Sequence, residues 1–318
     1  MPDKDLVSII TPCYNGERYV RNFLDSILGQ DYPAVEIIFV DDGSTDNTRQ
    51  VVLSYLKKYE KKGYCLRYFY QKNSGQASAI NTGLPLVRGG YVMWMDSDDI
   101  LMSNALSKKV NYLVEHPEFG FNICQGYIVD SEDLSMVQGI QRRKHDENED
   151  NLFLDLLDER NVVFTPAAYM VRTSILFKAI PKKRIYENRE GQNWQLLLPL
   201  AHVAQYGYVD EPLYKYVVHR DSHSRTKRSY SDRVRRFTGF QELQMATIND
   251  LGLSSKETKR WIRHIEQNID RSKMELALTH FHLYDWFILY KNEHSLKYLI
   301  KFNPLFFYIR KIVKRLIR

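Results

Sequence analysis

The chain begins with short apolar runs alternating with amphipathic stretches. Leu6 to Thr11 is a continuous apolar, β-branched run, the pattern of a buried strand. Asn15-Gly16 breaks it, and Glu17 to Leu28 then sets Tyr19/Val20, Phe23/Leu24 and Ile27/Leu28 at helical spacing. The alternation recurs with a strand at Val35 to Val40 and a helix at Thr45 to Tyr59, capped by Thr45 or Asp46. It continues with a strand at Leu66 to Tyr70, a short helix at Ser78 to Val87 and a strand at Gly90 to Met95. Such a sequence predicts an α/β fold with a mainly parallel sheet covered on both faces. Ligands of such sheets bind outside the carboxyl ends of the strands.

After about residue 105 the pattern is less regular. Phe121 to Val129 and Val162 to Val171 read as strands, and the charge run Gln141 to Asp150 as a solvated loop. Gly191 to Tyr206 reads as a helix, and Tyr208 to Val218 as a strand followed by a loop. From Ser231 the pattern is helical, with one segment to about Leu251 stopped by Gly252 and another from about Ser255.

Composition narrows the class. With 44% hydrophobic and 26% charged residues in 318, a disordered chain is excluded. The absence of any run of about 18 apolar residues predicts no membrane-spanning helix. Met-Pro-Asp-Lys-Asp lacks the layout of a signal peptide, and Cys13, Cys65 and Cys124 match no metal-ligand spacing. A reducing cytosol is the expected compartment.

Charge is localised. Residues 295–318 hold seven Lys or Arg and no acid; without them the net +6 of the chain becomes −1. This argues against nucleic acid as a partner, which calls for a basic surface spread over the fold. Asn303-Pro304 reads as a cap and first helical residue, after which apolar and basic residues separate onto two faces through residue 318. Residues 303–318 are therefore expected to form a basic amphipathic helix lying in an anionic membrane surface.

Two acidic clusters end successive strands: Asp41-Asp42 before Gly43-Ser44, and Asp96-Ser97-Asp98-Asp99. Asp41-Asp42 suits hydrogen bonds to a nucleotide, and the second cluster suits Mg²⁺ or Mn²⁺, which take one or two carboxylates with phosphate and water oxygens. Asp and Gly are also ordinary turn formers, but two such clusters at neighbouring strand ends exceed what turns require.

The stretches VSIITPCYNGERYVRNFLDSILGQ, VEIIFVDDGSTDNT, KNSGQASAINTGL and GGYVMWMDSDD together resemble the family-2 glycosyltransferases of the GT-A fold. The resemblance covers about the first third of the chain, weakens towards residue 220, and implies a Rossmann-like sheet with a C-terminal helical extension. It implies a nucleotide-sugar-binding half at residues 1–105, an acceptor-binding half at 106–225 and a helical extension at 226–318.

The same resemblance implies site roles. Pro12, Tyr14 and Asn15 belong to the donor pocket, with the Tyr14 ring on a uracil face. Asp42 or Asp41 accepts from the base or ribose; Asn73, Gly75 and Asn81 close over the nucleoside. Asp98 and His219 hold Mn²⁺ or Mg²⁺, and Asp96 holds the ribose or a metal-bound water. Where the family carries an acidic Glu-Asp pair, this chain has Gln192-Asn193, amides that hydrogen-bond but accept no proton. Glu190 is then the expected catalytic base, with Glu187 the other candidate.

The implied activity is inverting, metal-dependent sugar transfer from a nucleoside-diphosphate donor, expected to be UDP-linked, to a lipid-linked or polysaccharide acceptor. The implied location is the cytoplasm, peripheral to the inner face of the cell membrane. The lost acidic pair leaves open a non-catalytic nucleotide-sugar-binding or assembly subunit. A nucleotidyltransferase is disfavoured because Pro12 to Gly16 contains no lysine.

Overall fold

The computed structural model describes residues 3–144, 151–219 and 228–291, together with 293, 298, 301–305, 307 and 308. Two compact units divide it, residues 1–225 and 226–318. In the first, strands β1 (Asp3–Cys13), β2 (Val35–Asp41) and β3 (Cys65–Tyr70) alternate with helices α1 (Val20–Leu28) and α2 (Thr48–Lys62). Helix α3 (Gln76–Gly83) leads to strand β4 (Gly89–Trp94). Every residue of β2 is buried, as a strand covered on both faces requires, and its one internal charge, Glu36, pairs with Arg67 at 3.2 Å and accepts from Ser8 Oγ at 2.6 Å.

The chain continues through β5 (Ile100–Leu101), α4 (Ala105–Glu115), β6 (Phe121–Asp130), β7 (Val137–Gln141) and α5 (Leu152–Asp158). It closes with β8 (Tyr169–Arg172), α6 (Thr173–Ala179), α7 (Asn193–Val203) and β9 (Tyr206–Val218). Among the described residues these strands form one nine-stranded mixed sheet in the order β3-β2-β1-β4-β8-β6-β9-β5, with β7 on β6. Strands β1, β2, β3 and β4 pair in parallel, whereas β8 joins β4 antiparallel. Because β2 and β4 lie on opposite sides of β1, the strand order reverses there, and a crevice opens at the carboxyl ends of β1 and β4.

Several expectations are corrected here. Of the strand expected over Val162 to Val171, only the end from Tyr169 is realised; Pro166 opens a 3₁₀ turn, since proline has no N–H for a sheet ladder. The charge run expected as solvated loop begins at the end of β7, and Arg143 within it is buried. Its guanidinium donates to the Tyr206 hydroxyl at 2.8 Å, the Asn161 carbonyl at 2.5 Å and Asp155 at 2.7 Å, which offsets the cost of burying the charge. Residues 145–150 lie outside the described residues. Helix α2 starts at Thr48, one or two residues later than the expected caps would start it, and Asp46 accepts from the Thr48 amide at 3.0 Å.

The second unit contains α8 (Tyr230–Asp250), α9 (Ser255–Thr279) and α10 (Leu283–Lys291). A Ser254/Glu257 capping box opens α9. Met274, Leu278 and Phe302 form a buried core against which Trp286, Leu289 and Tyr290 pack. Asn303 accepts from the Leu305 amide at 3.0 Å, as a helix cap does. Of the amphipathic helix expected over 303–318, residues 304, 305, 307 and 308 are helical, and 306 and 309–318 lie outside the described residues. No helix among the described residues is long and apolar enough to cross a membrane.

Candidate active site

The crevice at the switch point is built from three loops. The loop after β1 turns at Asn15, which adopts a left-handed φ of +52°. Asn15 Oδ1 accepts from the Thr45 amide at 2.8 Å and its own amide donates to Ser44 Oγ at 2.9 Å, tying this loop to the one after β2. Gly16 is required: a Cβ there would overlap Cys13 Sγ. Pro12 is buried in β1 opposite Val40, whereas Tyr14 is 51% exposed at the strand end.

Asp42 organises the second wall. Its carboxylate accepts from Gln71 Nε2, the Ser74 amide and the Gly75 amide, each at 2.8 Å. The loop between β3 and α3 is thus folded around one buried charge, and Gly43, at φ +81°, lets Asn73 approach where a Cβ would lie 2.6 Å from the Asn73 nitrogen. Asp41 does not offer itself to a ligand as expected. It is 1% exposed, and its oxygens accept from the Ser44 amide at 2.8 Å and the Tyr68 hydroxyl at 2.6 Å. Asn81 is likewise committed elsewhere. Its amide nitrogen donates to the Ile185 carbonyl at 2.9 Å and Glu187 at 3.0 Å, and its oxygen accepts from the Ile185 amide at 2.8 Å. It pins the 185–187 segment instead of closing on a nucleoside.

The third loop, Asp96 to Asp99, follows β4. Gln76 Nε2 donates to Asp96 Oδ1 at 3.3 Å, and His219 Nε2 lies 3.5 Å from Asp98 Oδ2. The two residues expected to share a cation are therefore adjacent, although 121 positions separate them in sequence. Two features missed by sequence reasoning set this up. Asp99 is buried, and its Oδ1 accepts from the Val217 amide at 3.1 Å, fixing the end of β9 two residues before His219. The Tyr19 ring lies 4.0 Å from the His219 ring, centroid to centroid. Asp99 was visible within the acidic cluster, but its partner is a backbone amide, which sequence does not mark.

The electrostatics of this loop are unfavourable for carboxylates alone. Burial first, and the neighbouring Asp98 second, push Asp96 up to about 7. Burial also raises Asp98, opposed by His219, and raises Asp99 well above the ordinary range, helped by Asp98 and Asp96. Asp99 Oδ2 and His219 Nε2 are buried without a hydrogen-bond partner among the described residues. Hard carboxylate oxygens beside an unpartnered imidazole nitrogen fit a divalent cation. The described residues gather no set of three or more His, Cys, Asp or Glu side chains that would hold a metal alone. Asp98 is a carboxylate of the kind Mg²⁺ or Mn²⁺ takes together with phosphate and water, and His219 adds a nitrogen beside it.

Segment 185–195 borders the loop after β3. Arg189 Nη1 donates to Asn73 Oδ1 at 3.4 Å, and the Glu190 amide donates to Asn188 Oδ1 at 2.8 Å, with Glu190 partly buried. Glu187 accepts from Arg184 at 2.8 Å as well as from Asn81. Gln192 is buried at the cap of α7. Asn193 Nδ2 donates to the Phe164 carbonyl at 2.9 Å, while its Oδ1 is buried and without a partner among the described residues. An aspartate at 193 would set a carboxylate oxygen against that carbonyl, so the amide is the residue this packing accepts.

The family profile described as Glycosyl transferase family 2 matches residues 8–176, just over half of the chain. The chain belongs to glycosyltransferase family 2. The match takes in β1 through β8 and all three crevice loops, and ends before His219 and the 185–195 segment.

Among curated relatives, the chain is 37% identical over 151 residues to an uncharacterized glycosyltransferase of Rickettsia typhi, covering 46% of this chain and 45% of that protein. It is 41% identical over 113 residues to the putative teichuronic acid biosynthesis glycosyltransferase TuaG of Bacillus subtilis, covering 35% and 43%. The chain thus spans less than half the length of these relatives.

Among solved structures, S. aureus TarS 1-349 in complex with UDP-GlcNAc superposes with a TM-score of 0.62 at 20% identity, covering 89% of this chain and 79% of that one. The mannosyltransferase PcManGT from Pyrobaculum calidifontis, in complex with GDP-Man and Mn²⁺, gives a TM-score of 0.54 at 18% identity, covering 94% and 79%. At these identities the likeness establishes the fold, which is GT-A with C-terminal helices.

Proposed function

We propose that the protein is a metal-dependent, inverting glycosyltransferase that moves a sugar from a UDP-sugar to a lipid-linked or polysaccharide acceptor. The observation that carries this reading is the Asp98–His219 pair at the end of β4, beside orphaned buried polar atoms and next to the Asp42-organised loop. The complexes of TarS with UDP-GlcNAc and of PcManGT with GDP-Man and Mn²⁺ support a nucleotide-sugar donor and a cation. TuaG, putatively of teichuronic acid biosynthesis, supports a polysaccharide acceptor.

In this reading Tyr14, exposed at the end of β1, stacks on the base, and the loop held by Asp42 presents Asn73 and Gly75 to the nucleoside. Asp98 and His219 hold Mn²⁺ or Mg²⁺, with Asp96 oriented by Gln76 beside them. The bound cation supplies Lewis-acid neutralisation of charge on the departing diphosphate. Glu190 takes the proton from the acceptor hydroxyl as it attacks the anomeric carbon; Gln192 is buried and Asn193 is bonded to the Phe164 carbonyl, so neither is assigned to that hydroxyl. Glu187 is the weaker candidate, because its carboxylate already accepts hydrogen bonds from Arg184 and Asn81. The location in this reading is the cytoplasmic face of the cell membrane, where the basic residues of 303–318 meet anionic lipid.

A second reading, a non-catalytic nucleotide-sugar-binding subunit, is favoured by the amides at 192 and 193 alone. Sugar transfer from a panel of UDP-sugars to lipid extracts, with wild type and Glu190→Gln, separates the two. Transfer that falls about 10²–10⁴-fold in Glu190→Gln, with donor binding intact, supports the first. Metal-dependent donor binding without transfer to any acceptor supports the second.

A further inference from the structure

Helix α10 is apolar on both sides. Trp286, Leu289 and Tyr290 fall on one face and pack against the Met274–Leu278–Phe302 core. Tyr284, Phe287 and Ile288 recur at three- and four-residue steps on the opposite face, exposed by 77%, 55% and 46%. Phe281, one step before them, is 73% exposed. A helix apolar all round is ordinarily buried all round, and among the described residues nothing covers the outer face of this one.

The turn that presents Phe281 is itself costly. The His282 amide donates to the Ala277 carbonyl at 2.9 Å and the Phe281 amide to the Leu278 carbonyl at 3.3 Å, a Schellman end to α9. The left-handed position of that motif is normally glycine, yet Phe281 occupies it at φ +61°. Stacking on Tyr308, with centroids 5.5 Å apart, leaves most of the Phe281 ring exposed. A large aromatic held against its backbone preference and left in water is explained by a partner that buries it.

Charge identifies the partner. Lys291 ends the same face of α10, and the flanking acids are engaged: Asp285 accepts from the Tyr230 hydroxyl at 2.7 Å, and Glu293 pairs with Arg271 at 2.6 Å. Residues 295–318 add seven basic residues and no acid. Two copies of this chain meeting through α10 would bring their Lys291 side chains and two net-basic chain ends into one assembly, whereas an anionic lipid surface complements that charge.

We propose that the outer face of α10, formed by Phe281, Tyr284, Phe287 and Ile288, docks on an anionic lipid bilayer and enters its headgroup–acyl boundary. This deepens the membrane part of the proposed function by naming the apolar surface that inserts; it does not depend on donor or acceptor chemistry. The test is flotation of the full chain with vesicles of phosphatidylcholine, and of phosphatidylcholine with phosphatidylglycerol. Wild type is compared with Tyr284→Ser/Phe287→Ser/Ile288→Ser and with Arg310→Gln/Lys311→Gln/Lys314→Gln/Arg315→Gln. The substituted α10 residues are exposed, and circular dichroism checks that the helices persist.

Wild type should float with the anionic vesicles and hardly with phosphatidylcholine alone. The α10 variant should bind the anionic vesicles at least about tenfold more weakly, since burial of three large side chains is lost. If the α10 variant binds as wild type while the basic-residue variant does not, the α10 proposal is overturned and the electrostatic attachment stands. If wild type binds neither vesicle, both fall. If light scattering shows a wild-type dimer that the α10 variant converts to monomer, with vesicle binding unchanged, the face is a contact between copies and the proposal is overturned.

Discussion

Asp99 shows how one buried carboxylate positions another group. One oxygen holds the Val217 amide and the other lacks a partner among the described residues, so its burial is costly unless a nearby cation offsets it. Asp99→Ala should release the end of β9 and lower Mn²⁺ affinity about 10–100-fold, as loss of an outer-shell partner does. Asp99→Asn keeps an acceptor for Val217 and should restore most of that affinity, read by calorimetric titration with Mn²⁺ in the presence of UDP. Equal loss in both variants would mean that charge, not position, is what Asp99 contributes. For Asp98→Ala, metal-dependent UDP binding itself should vanish; wild-type binding would remove the cation from this residue. At this scale the sequence marked residue types well and partners poorly. Asp98 was marked as a candidate ligand by its type, but Asp41 and Asn81 were not legible as structural residues, because their partners are backbone amides and carbonyls, a tyrosine and Glu187.

The elements that carry the site were readable where burial is two-sided. Strands β1, β2 and β4 are mostly apolar where they are buried, and their ends coincide with the polar clusters. The two-residue β5 and the partly exposed β7 left no such signal, and Pro166 cut a strand whose residues otherwise had β character. The tight junction between the loops after β2 and β3 rests on Gly43. Gly43→Ala should destabilise the fold by about 1–3 kcal/mol, read as a lower denaturant midpoint at unchanged slope.

The turn after β4 gives a pH prediction for the metal-free protein. An acid raised in the folded state stabilises most below its ordinary value, here 3.8, and that contribution is lost as pH rises through the folded value, about 7 for Asp96. In EDTA, wild type should therefore lose melting temperature relative to Asp96→Asn as pH rises from about 4 to about 7. Mn²⁺ at the upper pH should reverse the loss. A constant difference across the window would mean that the turn imposes no such penalty.

For the whole molecule, family membership rests on residues 8–176, whereas the residues proposed for acid–base work and one proposed ligand, His219, lie beyond them. The family match therefore speaks for the donor crevice more strongly than for catalysis, and the replaced acidic pair lies in the part it leaves open. The central claim is that the crevice at the reversal of strand order is a cation-dependent nucleotide site. Calorimetric titration of the full chain with UDP, GDP and CDP, first with Mn²⁺ and then with EDTA, tests it most directly. A cation-dependent uridine site should bind UDP in preference to the other two, with binding abolished by EDTA. Binding that persists unchanged in EDTA would contradict the cation site, and no binding to any of the three would contradict the nucleotide site itself.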